Sequence, residues 1–264
     1  MIVYPNAKIN IGLNITEKRN DGFHNLESIF YPIDWCDILE INKSDTFEFT
    51  TSGLPIDVDY ESNIIIKAYR LIESKYSITA CKIHLHKQIP MGAGLGGGSS
   101  NASFTLKVLN DLFDLKISEK ELLSFAEELG SDCPFFIKNT AQYIQGKGEI
   151  MTVSKLDLQG YFIKLVNPNI HISTQLAFRN VKPKMPVMDL RNCSVLELRK
   201  GNIVNDFEQS VFPIYKSLEK IKNTIKNENA FYVSMTGTGS TIFGLYEKKP
   251  NYTFNTYIEK IIEL

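Results

Sequence analysis

The chain has 264 residues, 43% of them hydrophobic and 22% charged, the balance of a globular protein able to bury one large core or two modest ones. Its formal net charge of −1 excludes a global basic field for nucleic acid or anionic lipid, so any anionic ligand must be held by local groups. The four cysteines form no Cys-x-x-Cys, the four histidines have no metal-ligand spacing, and no apolar run reaches membrane-spanning length. With no targeting composition after Met1, the expectation is a cytoplasmic protein with reduced thiols and no protein-held metal cluster.

Residues 2–15 read as a strand in which apolar and polar positions alternate. Ile9, Ile11, Leu13 and Ile15 share one face, and Lys8, Asn10, Gly12 and Asn14 share the other. Two readings stand for that second face: a solvated strand with an exposed lysine, or the polar lining of a site. Asn20-Asp21-Gly22 predicts a turn that delivers Phe23 and His24 side by side. Such a pair suits stacking on and hydrogen bonding to a nucleobase, and equally suits a core phenylalanine with a capping histidine. Residues 29–50 read as two strands about Asp34–Asp37, the second over 37–42. Ser62 is expected to cap a helix over 63–76, and a strand over 82–89 carries His84 and His86 on a solvated face.

That strand leads into Pro-Met-Gly-Ala-Gly-Leu-Gly-Gly-Gly-Ser-Ser-Asn-Ala-Ser, residues 90–103. A loop without side chains lets backbone N–H groups approach an anion. A helix expected from about Ser100 to Phe113 then points its unpaired amides and positive dipole end at the same place. The competing reading, a flexible linker, sits poorly between an apolar strand and an amphipathic helix. No lysine follows the glycines, so the loop is not a Walker loop. Gly92, Gly94 and Gly97 match G-x-G-x-x-G only outside the opening βαβ unit that a dinucleotide site needs, and no protein-kinase motif follows.

Ser118 and Glu121 form a capping box for a helix ending at Leu129-Gly130. Asp132 then stands between a serine and an apolar run, as a working carboxylate, as the cap of a turn starting Cys133-Pro134, or as both. A strand over 141–144, a turn over 146–149 and a polar stretch to Gly160 place the domain boundary between residues 1–155 and 156–264. Beyond it lie a strand over 161–167, a helix over 174–180, a proline-rich loop over 181–189 and a long amphipathic helix over 211–227. A strand over 231–235, a glycine-rich turn over 236–240, a strand over 241–246 and a terminal helix over 252–263 complete the chain. Strands alternating with helices point to an α+β fold with a split βαβ sandwich in this half. The turn Thr236-Gly-Thr-Gly-Ser240 holds more glycine than a reversal needs, which suits a close backbone approach to a ligand.

The Lys8 strand, the Pro90–Ser103 loop and Ser234–Gly244 occur in the order found in the GHMP kinases, the family of galactokinase, homoserine kinase and mevalonate kinase, and the chain resembles that family over nearly its whole length. Ala7–Asn10, Arg19–His24, Gly130–Pro134, Gly146–Glu149 and Asn205–Glu208 narrow the resemblance. They match the branch that transfers the ATP γ-phosphate to the 2-hydroxyl of a cytidine diphosphate-linked methylerythritol in the non-mevalonate isoprenoid pathway. The resemblance implies a two-domain fold, with an N-terminal α/β domain built on a ribosomal-protein-like βαβ unit and a C-terminal ferredoxin-like α/β sandwich, the site lying in the cleft between. It makes Asp132 the base and Lys8 its cationic partner, with Asn10 at the erythritol end. Phe23 (often Tyr in the family) and His24 would read the cytosine, with Phe178 as a second stacking ring. Asn63 and Lys87 would contact ATP. Its phosphates would sit on Pro90, Met91, Gly92, Ala93, Gly94, Leu95, Gly96, Gly97, Gly98, Ser99 and Ser100, with Mg²⁺ near the two serines, held by side chains or by ATP alone. A small-molecule substrate, no nucleic acid or membrane partner, and a monomer or homodimer are expected. Alternatives are a homoserine- or mevalonate-type kinase, an inactive nucleotide-binding module, and an RNA-binding module, the last lacking a basic stripe with interleaved aromatics.

Overall fold

The computed structural model describes residues 1–179 and 181–264; Asn180, the last residue of the helix expected over 174–180, lies outside the described residues. The chain opens with β1 (Ile2–Val3) and β2 (Asn6–Lys18), and the Asn20-Asp21-Gly22 turn leads into β3 (His24–Cys36). β4 (Ile38–Lys43) is followed by β5 (Glu48–Gly53), a strand the sequence reading did not separate. Next come α1 (Ile64–Lys75), β6 (Cys81–Lys87), α2 (Gly97–Leu112), α3 (Glu119–Leu129) and α4 (Cys133–Lys138). The remainder holds β7 (Gln142–Gln145), β8 (Ile150–Val153), β9 (Phe162–Asn167), α5 (Thr174–Phe178), α6 (Val195–Arg199), α7 (Glu208–Val211), α8 (Lys216–Asn227), β10 (Tyr232–Met235), β11 (Ile242–Tyr246) and β12 (Ile258–Glu263).

Several boundaries differ from expectation, each for a physical reason. Asn63 rather than Ser62 caps α1: its side chain accepts from Ile65 N at 2.9 Å, while Ser62 closes a short 3₁₀ turn. α2 begins at Gly97 rather than Ser100, because Gly96 takes a left-handed conformation (φ 70°) that only glycine adopts cheaply at a helix entrance. The helix expected over 211–227 starts only at Lys216, as α8, and the short α7 ends at Val211, since Pro213 lacks an N–H and clashes with the preceding turn. The helix expected over 252–263 is β12, whose run Ile258–Glu263 pairs antiparallel with β9, Ile261 opposite Lys164 and Ile262 opposite Ile163. Tertiary pairing overrides a helical period there.

By packing, the chain forms two compact units, each assembled from three separated segments. The first comprises residues 1–7, 35–91 and 96–140. Its sheet runs β1-β4-β6-β5, antiparallel between β4 and β6 and parallel between β5 and β6, so β5–α1–β6 is the expected βαβ crossover. Leu39, Ile41, Ile83 and Leu85 from the sheet meet Ile65, Tyr69, Ile72, Leu106 and Leu109 from the helices, all buried. Each such side chain contributes about 1.5–3 kcal/mol on burial.

The second unit comprises residues 8–34, 92–95 and 141–264. Its C-terminal run begins at Ala141 rather than 156, and the early hairpin Lys8–Asp34 packs with it rather than with residues 35–140. One sheet runs β2-β3-β7-β8; the other, β10-β11-β9-β12, is antiparallel throughout. α8 lays Leu218, Ile221 and Ile225 into a core shared with Val166, Met235, Ile242 and Tyr246.

Candidate active site

In the second unit, β2 buries both of its faces. Lys8 is 3% exposed and Asn10 2%, nearly as deeply placed as their neighbours Ile9 and Ile11, so the solvated-face reading fails. A buried ammonium needs partners. Lys8 Nζ donates to Asn10 Oδ1 at 2.6 Å and lies 4.5 Å from the centre of the Phe30 ring. Asn10 Nδ2 donates to Ser28 Oγ at 3.0 Å, and Ser28 Oγ donates to Gly12 O at 2.6 Å. The expected catalytic lysine and the expected acceptor-binding asparagine are therefore one hydrogen-bonded pair, held from beneath by β3.

The same pair reaches the glycine-rich turn. Thr236 Oγ1 accepts from Asn10 N at 3.1 Å and stands 2.9 Å from Gly94 O. A β-carbon on Gly94 would lie 2.1 Å from Thr236 O, a backbone atom that cannot yield, and Gly94 sits at φ 76°. The close approach expected of the Thr236–Ser240 turn is thus an approach to Gly92–Leu95, the opening of the glycine-rich loop. Lys8 N donates to Leu95 O at 2.9 Å and Thr241 N to Ala93 O at 3.3 Å. Asn205 fixes the turn from its other side, donating to Met235 O at 2.7 Å and Gly237 O at 2.8 Å, while Glu208 accepts from Met235 N at 2.8 Å. Asn205-Asp-Phe-Glu208 stood out in the sequence by resemblance alone; its role emerges only from these long-range bonds.

In the first unit, α2 starts with Gly97, Gly98, Ser99 and Ser100; Ser100 N closes the first helical bond to Gly96 O at 2.9 Å, and the amides before it are the helix's unpaired donors. Ser100 is fully buried, and its Oγ has no hydrogen-bond partner. Buried hydroxyls are almost always bonded, so an orphan in the first turns of a helix fits a ligand oxygen or a metal ion. Asp132 occupies the position before α4 but makes no capping hydrogen bond, so its side chain does not serve the helix. Its neighbour Cys133 is tied to α2, since Ser103 Oγ donates to Cys133 O at 2.7 Å. Burial pushes the Cys133 thiol up to about 11, and Asp132 adds to that.

Lys87 and Asn63, expected on ATP, are already engaged. Lys87 is 1% exposed; its ammonium pairs with Asp37 and stands 3.3 Å from Asn101 Oδ1. Asp37 also accepts from Gln88 N (2.7 Å), Ile89 N (2.9 Å) and Asn101 Nδ2 (2.9 Å). Burial holds the Lys87 ammonium below the usual lysine range, with Asp37 opposing. A β-carbon on Gly97 would stand 3.0 Å from Lys87 Nζ, which puts this ion pair directly under the first turn of α2. Asp37 carried no motif, and only its complete burial reveals it. Asn63 Oδ1 is spent on its helix cap.

His24 and Phe178 come together in the second unit, their rings stacked at 4.9 Å with 25° between planes. They line a cavity of about 680 Å³ with Lys18, Gln175 and Arg179. Rings in direct contact leave no room for a base between them, so a base would stack on an outer face or part them. Burial holds the His24 imidazole below its usual range, and the Lys18 ammonium adds to this. Phe23 is 59% exposed, with Lys147 Nζ 5.0 Å from its ring centre, and is not among the residues lining that cavity.

Family models for the GHMP kinases N terminal domain and the GHMP kinases C terminal domain match residues 63–139 and 194–251. The chain belongs to the GHMP kinases. It is 46% identical to the 4-diphosphocytidyl-2-C-methyl-D-erythritol kinase of Azobacteroides pseudotrichonymphae genomovar. CFP2, over 99% of this chain and 100% of that relative. The Parabacteroides distasonis protein of the same name is also 46% identical, over 96% and 94%. A crystal structure of 4-(cytidine 5'-diphospho)-2C-methyl-D-erythritol kinase superposes with a TM-score of 0.80 at 29% identity, covering 93% of this chain and 90% of that one. Within the family the chain groups with this branch of small-molecule kinases, which use ATP, rather than with homoserine or mevalonate kinases. No helix among the described residues is long and apolar enough to cross a membrane.

Proposed function

We propose that the protein transfers the γ-phosphate of ATP to the 2-hydroxyl of 4-diphosphocytidyl-2-C-methyl-D-erythritol. The observation that carries this reading is the anion seat. A sixteen-residue helix opens on Gly97 behind the left-handed Gly96, with the orphan Ser100 hydroxyl in its first turns. Phosphoryl transfer asks for positioning and charge stabilisation more than covalent chemistry. Asp132 takes the proton of the acceptor hydroxyl. Lys8, held by Asn10 and Phe30, stabilises charge on the moving phosphoryl group and the developing alkoxide. Asn10 orients the erythritol end, and His24 with Phe178 takes the cytosine.

Mg²⁺ fits the donor set. It prefers oxygen ligands and shares them with substrate phosphates, the Ser100 hydroxyl supplies one, and no cluster of three His, Cys, Asp or Glu among the described residues offers another seat. When bound, the ion neutralises phosphate charge.

The test is steady-state turnover with ATP, Mg²⁺ and the cytidylyl acceptor. Asp132→Asn and Lys8→Met should each lower kcat by about 10²-fold or more while the binding of a non-hydrolysable ATP analogue persists. Wild-type turnover in Asp132→Asn would remove the base from the mechanism.

A further inference from the structure

His171 is used by none of the roles above, yet it stands at the mouth of the cradle. A β-carbon on Gly92 would lie 3.0 Å from His171 Nδ1 and 3.5 Å from Cε1. The imidazole is exposed and makes no hydrogen bond or ion pair with any described residue. Its backbone is nonetheless well fixed. On one side, Asn167 Oδ1 accepts from Asn169 N at 2.7 Å, and Asn167 Nδ2 donates to Thr241 Oγ1 at 2.9 Å, beside the clamp that holds Ala93. On the other side Ile172 is 3% exposed, and a β-carbon on Gly239 would come within 3.0 Å of its Cδ1. A rigid segment thus presents a ring nitrogen, without a protein partner, to the first glycine of a loop whose backbone is arranged for anions. Any side chain at position 92 would fill the space between them.

We propose that the His171 imidazole donates a hydrogen bond to a phosphate oxygen of the nucleotide seated on Gly92–Leu95. This rests on the reading of that loop as a phosphate seat. The group recognised is a phosphate, and its source is either the triphosphate of ATP or the diphosphate of the cytidylyl acceptor. His171 is a binding residue of the proposed reaction, separate from the base and from the charge stabiliser.

The experiment titrates wild type, His171→Ala and His171→Asn with a non-hydrolysable ATP analogue, CDP, adenosine and cytidine, alongside steady-state kinetics. One net hydrogen bond corresponds to about a three- to tenfold rise in Kd and KM for one phosphorylated ligand in His171→Ala. A rise for the ATP analogue places the contact on the triphosphate, and a rise for CDP places it on the diphosphate. Asparagine should recover part of the loss because it restores a donor. The two nucleosides should bind unchanged, kcat should stay within about twofold, and the exposed position predicts an unaltered thermal midpoint. Unchanged affinity for both phosphorylated ligands in His171→Ala, with normal wild-type binding, overturns the proposal, as does an equal loss for the nucleosides. A wild type that binds neither nucleotide overturns the reading of the loop as well.

Discussion

Lys87→Met separates two roles for a lysine that resemblance assigns to ATP and geometry assigns to the interior. Methionine matches the length of the stem but leaves Asp37 charged, 0% exposed, without its ammonium. Breaking a buried pair in this way costs about 3–5 kcal/mol. Asp37 keeps three donors at 2.7–2.9 Å, from Gln88 N, Ile89 N and Asn101 Nδ2, which argues for the lower end, about 3 kcal/mol or roughly 150-fold in the folding equilibrium. With an m-value near 3 kcal/mol/M, the urea midpoint of the transition that reports the first unit falls by about 1 M. Adding Asp37→Asn removes the stranded charge while keeping an acceptor for the two amides, so the double variant should recover about 2 kcal/mol. The measurements are urea unfolding of all four members of the cycle, followed by fluorescence, and KM for ATP of the folded variants. If Lys87→Met leaves the midpoint unchanged and raises KM for ATP about 10²-fold, the ammonium serves the nucleotide directly and the reasoning is wrong.

Ser100→Ala should stabilise the ligand-free protein by about 1 kcal/mol, because it deletes a buried hydroxyl that has no partner. The same change should raise KM for the Mg²⁺–ATP complex; a loss of stability with unchanged KM would refute the assignment. His24 should titrate below its usual 6.5 when followed by imidazole NMR, since burial and then Lys18 disfavour its charged form. The unfolded chain then binds the proton first, so stability rises with pH through the window between the folded value and 6.5, and is lost as pH falls through it. Phe178→Ala, which uncovers the ring, should move the titration back toward 6.5 by more than Lys18→Met does; the reverse order would show that charge rather than burial governs it.

The candidate site was legible where its chemistry is local. Glycines before a helix mark a candidate anion seat whatever the remainder of the fold does, and Gly96 shows why the helix starts within them. Alternation marked Lys8 and Asn10 as sharing a face, but two-residue periodicity cannot say whether that face meets water. The answer came from Thr236 and Ser28, far along the chain. Asp37 and Asn101 were assigned no role for the same reason: an isolated Asp or Asn in a strand or helix carries no sign of burial until its partners arrive from another segment. His171 was passed over as one histidine without metal spacing, because its meaning depends on a glycine some eighty residues earlier in the sequence.

The two errors that concern strands share one cause. Residues 252–263 have apolar spacing compatible with a helix, and nothing nearby forbids one, yet they form a strand because β9 offers an unpaired edge with Ile163 and Leu165 in register. β5 was not separated for a related reason: its exposed Thr50, Thr51 and Ser52 show weak alternation, and the strand exists because β6 pairs with it in parallel. An edge strand is specified by the neighbour it joins as much as by its own residues. Helices α1 and α3, which carry their own caps at Asn63 and Ser118, needed no such help and were recognisable within a residue or two. Local capping chemistry is written beside the element it governs, whereas β pairing is written in two places at once. For this chain the second kind of information decides which strands clamp the turn Thr236–Ser240 against Gly92–Leu95.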